Sequence, residues 1–286
     1  MRGTESMTSR LPHWRTIEWP DQAKVAVQII TAFEAFDEHS QFTTEASSGI
    51  NPFSISYGEY GAHVGAWRLI ELMDDLGVVS SVAINGRAAE QHPHVVQALA
   101  EHGHELVGHG WVNDKLMPGG EEEREVIRRT LDAIEAAGGE RPTGWVSPGK
   151  MGSVDTEEFL LDAGIRYTGD DASDDLPFVK KVGDRDFAVV PTVDLASNDL
   201  LQWVFGGKSP DVIVEGFKAT FDAVYAEAEA GRPGAVGLVL HCHAAGRPTL
   251  VPRVRELIQY CQSHDGVWFA RGDEIAEFAL REGITR

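Results

Sequence analysis

Glutamate and histidine side chains stand directly after several apolar segments, where they could transfer protons. Glu34 follows the apolar, β-branched run of residues 24–31, and His109 stands between two glycines. His241 and His243 follow the apolar run of residues 236–240. Carboxylates and imidazoles are the side chains that most often act as general acids and bases. The sequence therefore predicts a site for acid–base chemistry, provided that these segments meet in the fold.

Each of these features also has a structural interpretation. A single glutamate after a strand is often a solvated loop carboxylate. The acidic run of residues 170–175 can cap a turn, because aspartate favours such positions. Side chains alternate along a strand, so one of His241 and His243 can face inward while the other packs. The glycines beside His109 favour the functional interpretation, because they let a ligand approach the backbone closely.

Strands and helices alternate along the chain. The sequence predicts a strand over residues 24–31, a polar loop from Glu34 to about Tyr60, and a helix over residues 65–76 that ends at Gly77. Further strands are predicted over residues 78–84, 105–108, 144–146, 167–169, 188–191, 235–241 and 267–270, and further helices over residues 93–101, 121–137, 156–163, 210–229, 252–263 and 273–278. The glycine-rich loops that cradle nucleotide phosphates do not follow the first strand, so the pattern lacks the main device of a nucleotide-binding fold.

This alternation is typical of parallel βαβ units in an α/β protein. Seven or eight such units without an interior linker favour one closed barrel over two domains. We therefore predict an N-terminal arm over residues 1–20 and one barrel domain over residues 21–286. The loops after the strands of a parallel barrel converge on one mouth, which is where the polar clusters would meet.

The net charge of the chain makes some classes of binding partner unexpected. The 286 residues include 25 Lys and Arg against 45 Asp and Glu, a formal net charge of −20. Nucleic acids and anionic membranes attract basic surfaces, so neither is an expected partner. A small neutral or cationic substrate is expected instead.

The first twenty residues hold no apolar core of a secretory signal, and two cysteines do not form a disulfide framework. We expect a cytoplasmic protein.

Eight segments in order resemble the polysaccharide deacetylase superfamily, and in particular its branch of metal-independent allantoinases and intracellular peptidoglycan-deacetylase-like proteins. The segments are VAVQIITAFEAFDE, YGEYGAHVGAWRLIELMDDLG, INGRAAEQHP, GHELVGHGWVND, GWVSPGK, DDASDDLPF, and LHCHAAGRP with GVWFARGDEIAEF. The resemblance covers roughly residues 20–280. It implies a single distorted (β/α)-barrel of about seven strands and hydrolysis of a carbon–nitrogen amide bond.

The resemblance also implies a metal site that this sequence alters. Metal-dependent members carry a catalytic base, an acidic ligand and two histidines, and these positions fall on Ala32, Glu34, His109 and Asn113. Catalytic Zn²⁺ prefers three protein ligands and a water, and a neutral amide oxygen is a weak substitute for imidazole. We expect either no cofactor or a single divalent metal such as zinc at Glu34, His109 and Asn113.

The remaining site residues follow from the same resemblance. Glu34 and His109 would flank the attacking water, with Glu34 as the base or as the group that orients His109. His241 matches the family's general acid, and Asp114 is an alternative base because Ala32 cannot serve. We predict that the substrate is bound by four side chains, those of Trp111, Asp171, Asp175 and Arg247. Arg247 can equally brace its own loop.

Two hypotheses from different classes remain open. The first is a hydrolase of a small cyclic ureide or N-acyl amine. The second is a ligand-binding member of the same family that has lost its base, as Ala32 and Asn113 suggest. Allantoinase-like relatives form symmetric oligomers, so a homodimer or homotetramer is expected. Trp203 and Phe205 would serve either an interface or a lid over the site.

Overall fold

The structure is a computed structural model that describes residues 15, 17–37, 51–115, 117–191 and 195–286. Its strands are β1 (Val25–Phe33), β2 (Ser81–Ile84), β3 (Glu105–Gly108), β4 (Gly144–Trp145), β5 (Tyr167–Thr168), β6 (Phe178–Val182), β7 (Arg185–Val189), β8 (Gly234–His241) and β9 (Val267–Phe269). Its α-helices are α1 (Pro52–Tyr60), α2 (Ala66–Leu76), α3 (Gly86–Gln91), α4 (Pro93–Glu101), α5 (Gly120–Gly138), α6 (Thr156–Asp162), α7 (Asp211–Glu229), α8 (Cys242–Ala245), α9 (Val251–Gln262) and α10 (Gly272–Glu282). Two π-helical turns cover Gly61–Gly65 and Leu200–Phe205.

All nine strands belong to one curled sheet. The strand order is β6-β7-β5-β4-β3-β2-β1-β8, and β9 pairs with the start of β1. Every pairing is parallel except that of β6 with β7. The predicted α/β class and distorted (β/α)-barrel are confirmed. Within the described residues, however, no ladder joins β8 to β6, so the sheet curls into a half-barrel and does not close.

Strand β1 is a central strand of the sheet, because it pairs with β2, β8 and β9. All nine of its residues are buried. Residues Val27, Ile29 and Phe33 point outward into the core beneath the helices. Alternate residues face the inside of the barrel, since side chains alternate across a strand. Burial on both faces explains why this segment is an uninterrupted apolar run.

The structure contains elements that the sequence did not predict, including α1, α3 and β6. The segment from Glu34 to about Tyr60 was expected to be a loop, but residues 52–60 form α1; residues 38–50 lie outside the described residues. Helix α1 begins where the Asn51 side chain accepts a hydrogen bond from the Ser54 backbone. Its apolar residues are spread around the helix and alternate with serines, so no apolar stripe marks it. The sequence also did not predict β6, which begins soon after the acidic run of residues 170–175, or the start of β7.

Residues 17–19 pack into the hydrophobic core at one end of the barrel. Ile17 and Trp19, which the sequence assigns to the arm, are buried. The Trp19 indole N–H donates to the carbonyl of Gly234 at 2.9 Å, and the ring lies 5.0 Å from that of Phe278. These contacts cover the end of the barrel opposite the strand ends that carry Glu34 and His241. No helix within the described ranges is long and apolar enough to span a membrane.

Glu105 is an acidic side chain inside the barrel, at the start of β3. Its carboxylate accepts a hydrogen bond from the Tyr167 hydroxyl at 2.6 Å. Burial and, to a lesser extent, the nearby Asp273 raise the pKa of Glu105 to about 7. The folded chain therefore keeps a proton here that the unfolded chain loses above pH 4.5.

We expect this proton to make the fold less stable as the pH rises from about 4.5 to about 7. The free energy of unfolding of the native chain should fall over that range by on the order of 2 kcal/mol more than that of Glu105→Gln, which keeps an acceptor for Tyr167 without a charge. Urea denaturation at pH 5 and pH 8 measures both slopes. Parallel slopes for the two proteins would show that Glu105 titrates normally.

Candidate active site

The three predicted catalytic side chains meet at the carboxyl ends of three strands. Glu34 follows β1, His109 follows β3, and His241 ends β8. They open onto a cavity of about 270 Å³. Its described lining residues are Ile30, Ala32, Glu34, Ala83, His109, Asn113, Val146, Ser147, Gly149, Lys150, Asn198, Leu200, Leu201, Phe205, Val239 and His241.

The carboxylate of Glu34 is the centre of the cluster. Its Oε1 lies 3.6 Å from His109 Nε2 and 3.8 Å from His241 Nε2. Its Oε2 lies 3.6 Å from Nδ1 of His243. Burial alone raises the pKa of Glu34, but the attraction of His241, His109 and His243 outweighs burial and holds it below its ordinary value. Glu34 is therefore a buried, ionised carboxylate.

The ring of His109 is held by a backbone carbonyl. Its Nδ1 lies 2.6 Å from the carbonyl oxygen of Val146, which fixes Nδ1 as the donor. The nitrogen Nε2 is then the ring atom that faces Glu34. Asn85 secures this segment, since its amide donates to the His109 carbonyl and its Oδ1 accepts from the Ala35 N–H at 2.9 Å. The ends of β1 and β3 are thus tied together beside the cavity.

The ring of His241 is held by Asp199, which the sequence analysis did not select. Asp199 Oδ1 lies 2.6 Å from His241 Nδ1, and Oδ2 accepts the His241 backbone N–H at 2.9 Å. Asp199 is only 1% exposed. Burial lowers the pKa of His241, but Asp199 and Glu34 together raise it above the ordinary value. The sequence offered little signal, because Asp199 lies 42 residues before its partner.

His243 differs from His241 in its environment. It is fully enclosed, and its ring packs edge-on against Phe36 and Tyr57 at 5.6 and 6.1 Å. Burial lowers its pKa to about 4, so the ring is neutral at pH 7. Of the two histidines, His241 faces the cavity and His243 packs behind Glu34.

The four predicted substrate-binding side chains do not line the cavity. Trp111 packs outside the barrel, with the Arg129 guanidinium 3.4 Å from its ring centre. Asp175 is exposed. Asp171 accepts the Ser173 backbone N–H at 2.9 Å and faces Arg286 at 3.5 Å. The acidic run thus organises its own turn and binds the C-terminus, as its structural interpretation proposed.

Arg247 and Asp114 also have structural contacts. The Arg247 guanidinium stacks over the rings of Tyr57 and Tyr60, at 3.9 and 4.1 Å. Its Nε donates to the His243 carbonyl at 2.9 Å, so it braces its own loop. Asp114, the alternative base, accepts the backbone N–H of Asp37 at 2.9 Å and does not line the cavity.

Lys150 and a π-helical turn complete the cavity wall, and of these Lys150 was not predicted from the sequence. Lys150 has a left-handed backbone with φ 57°, and its ammonium donates to the Gly169 carbonyl at 2.6 Å. Burial lowers the pKa of Lys150 to about 8. At the mouth, the π-helical turn presents Leu201 and Phe205, which are 41% and 42% exposed. Phe205 therefore lies over the cavity, in keeping with the lid alternative, whereas Trp203 packs against the core.

The donor set fits a catalytic zinc ion poorly. Glu34 and His109 are in place, but the third family position holds Asn113, whose two amide atoms are buried without a hydrogen-bond partner among the described residues. In the part of the chain that the structure describes, no three His, Cys, Asp or Glu side chains have the geometry of a metal site. The amide of Asn113 is a neutral and weak ligand. We therefore derive no catalytic step through a metal.

Comparison with known proteins agrees with this geometry. The family model for polysaccharide deacetylase matches residues 58–168. A protein of Schizosaccharomyces pombe (strain 972), whose name assigns it to the polysaccharide deacetylases, is 30% identical over 92% of this chain and 92% of its own. This chain belongs to the polysaccharide deacetylase family, as the sequence motifs predicted.

Solved structures show the same fold. A probable polysaccharide deacetylase from Pseudomonas aeruginosa PAO1 is 29% identical with a TM-score of 0.84, over 94% of this chain and 95% of that one. The crystal structure of PuuE allantoinase is 26% identical with a TM-score of 0.84, over 99% of both chains. Proteins named as a deacetylase and as an allantoinase therefore both resemble this structure.

Asp199 should control the protonation of His241. We expect Asp199→Asn to lower the pKa of His241, because the amide removes the charge that stabilises the imidazolium. Titration of the histidine resonances by NMR measures the change. Asp170→Asn is the matched control, since Asp170 accepts the Ser147 N–H on a neighbouring strand end without contacting His241. An unchanged His241 titration in Asp199→Asn would contradict this role.

Asn113 should be the residue that weakens metal binding. We expect Asn113→His to bind Zn²⁺ at least about tenfold more tightly than the native chain, because imidazole replaces a neutral amide as third ligand. Competition with a chromogenic chelator measures both affinities. Asn198→His, at another point of the cavity wall, is the control. Equal affinity of the native chain and Asn113→His would show that Asn113 does not limit the site.

Proposed function

We propose that this protein hydrolyses a non-peptide carbon–nitrogen amide bond in a small N-acylated or other nitrogenous molecule. The observation that carries the proposal is the convergence of two imidazole Nε2 atoms on the single buried carboxylate of Glu34. The family membership supports it, because relatives are named for deacetylation and for allantoin hydrolysis.

The geometry gives each nitrogen a separate role in the attack. His109 donates from Nδ1 to the Val146 carbonyl, so its Nε2 can accept a proton from a water molecule as that water attacks the amide carbon. The positive charge then formed on His109 lies beside Glu34, which stabilises it at 3.6 Å. In this mechanism Glu34 orients and stabilises His109 and does not itself take the proton.

Breakdown of the intermediate requires a proton for the leaving nitrogen. His241 is suited to supply it from Nε2, because Asp199 and Glu34 favour its protonated form. Asn113 lies in the same cavity, and its amide N–H has no hydrogen-bond partner in the described part of the chain. We assign it to the oxyanion, since a preorganised neutral donor stabilises the developing negative charge. The carbon–nitrogen bond then breaks, and the products are a carboxylate and an amine.

Ala32 favours a second candidate function. At the position where metal-dependent relatives carry a base, this chain has a methyl group on the cavity wall. A protein with that change can retain a ligand-binding cavity without turnover. Asp199 and its two hydrogen bonds to His241 favour the hydrolase, because a binding protein has no need of an oriented proton donor.

The proposal is tested by hydrolysis of N-acetyl amines and allantoin before and after chelation. We expect turnover that survives chelation, and a loss of about 10² to 10⁴ in kcat for Glu34→Gln, His109→Gln and His241→Gln, because each removes part of the proton transfer. Asp175→Asn and Trp111→Phe, outside the cavity, should keep kcat within about twofold. A native protein that binds these molecules but turns none over would favour the binding function.

A further inference from the structure

The cavity continues below the catalytic atoms as a hydrocarbon recess. Its walls are inward-facing side chains of β1, β2 and β8 and of the residue after β4. They are Ile30, Ala32, Ala83, Val146 and Val239. The recess opens upward onto the carboxylate of Glu34 and the ring of His241.

Two neighbouring alanines create the recess. Ala32 pairs with Ala83 on one side and with His241 on the other, so all three lie in one row across the sheet. The interior of a parallel barrel is usually filled by bulky, branched side chains. Two methyl groups side by side leave space in that layer, directly beside the proposed proton donor.

The next layer down closes the recess with larger side chains. Ile30 pairs with Val239 one step below Ala32 and His241. Both line the cavity, and both are hydrocarbon. A ligand group that enters the recess therefore meets carbon on the sides that these residues form, and the catalytic atoms lie above it. Ser81 lies in the same row as Ile30, and its hydroxyl accepts a hydrogen bond from Gln28.

The chemistry of an amide hydrolase decides which part of the substrate fits there. The leaving amine becomes an ammonium ion, which is costly to enclose in hydrocarbon. The carbon tail of the acyl group carries no charge in the substrate or in the product carboxylate. The polar N–H and C=O groups of a ureide ring would lose hydrogen bonds against these walls.

We propose that the substrate is an N-acyl amine whose acyl chain is longer than acetyl, and that Ala32 and Ala83 provide the space for that chain. This inference rests on the proposed function and selects between its two substrate classes. Ala83 is the specificity-determining residue, since it lines the recess without touching the acid–base groups through hydrogen bonds.

The test measures chain-length preference with and without the recess. Acetyl, propionyl and butyryl derivatives of 4-nitroaniline serve as substrates, and acetate, propionate and butyrate serve as binding probes in calorimetry. For the native protein, we expect kcat/KM and affinity to rise about fourfold for each added methylene that is buried. Allantoin should be bound and hydrolysed less well than the butyryl amide.

Ala83→Val fills the recess with two methyl groups. We expect it to weaken butyrate binding at least about tenfold, while acetate binding stays within about threefold. Ala188→Val is the matched control, because Ala188 is buried in the lower core outside the cavity. It should leave the chain-length preference unchanged. Thermal unfolding of both variants checks that each is folded.

The possible failures are distinguishable. If turnover and binding do not depend on acyl-chain length, the proposed role of the recess is wrong. The same follows if Ala83→Val weakens binding equally for all acyl-chain lengths. Neither result would contradict the proposed hydrolase function. Preferential hydrolysis of allantoin would likewise overturn the role of the recess without contradicting that function. Binding that rises with chain length and is lost in Ala83→Val, without turnover of any amide, would support the recess and overturn the proposed function.

Discussion

A carboxylate buried at the end of the central strand has to be compensated, and much of the site is organised by that requirement. Glu34 has no hydrogen-bond partner for either oxygen among the described residues, yet three imidazole rings surround it within 3.8 Å. An unpaired buried charge costs several kcal/mol, whereas nearby partial or full positive charge reduces that cost. The rings come from the ends of β3 and β8 and from α8, so the charge couples separate parts of the chain.

The supporting contacts determine what each imidazole can do. A backbone carbonyl holds one ring nitrogen of His109, and a carboxylate holds one of His241. The Val146 carbonyl makes Nδ1 of His109 a hydrogen-bond donor, while the negative charge of Asp199 favours a protonated His241. The two imidazoles on either side of Glu34 therefore differ in the charge of their partners. Asn85 and Asp199 secure the backbone segments that carry them.

Two residues that differ from those of the metal-dependent family members shape the rest of the cavity. Ala32 removes a carboxylate from the wall, and Asn113 replaces an imidazole with a neutral amide. Under the proposed function, the reaction in this cavity then depends on the histidines and not on a metal ion. Ala32 also lies beside Ala83, so the same change that removes a base adds hydrocarbon space below the reacting atoms.

The α/β alternation and most element positions could be predicted from the sequence, and so could the position of Glu34, His109 and His241 at strand ends that meet. Apolar periodicity and the position of polar residues after strands are local properties, and they survive in the fold because parallel strands bring their ends together. The acidic run and Arg247 looked equally functional in the sequence. Tertiary structure alone showed that they bind the C-terminus and two tyrosine rings. Tertiary structure also revealed Asp199, Lys150 and the paired alanines, because their roles depend on contacts between segments that lie far apart along the chain.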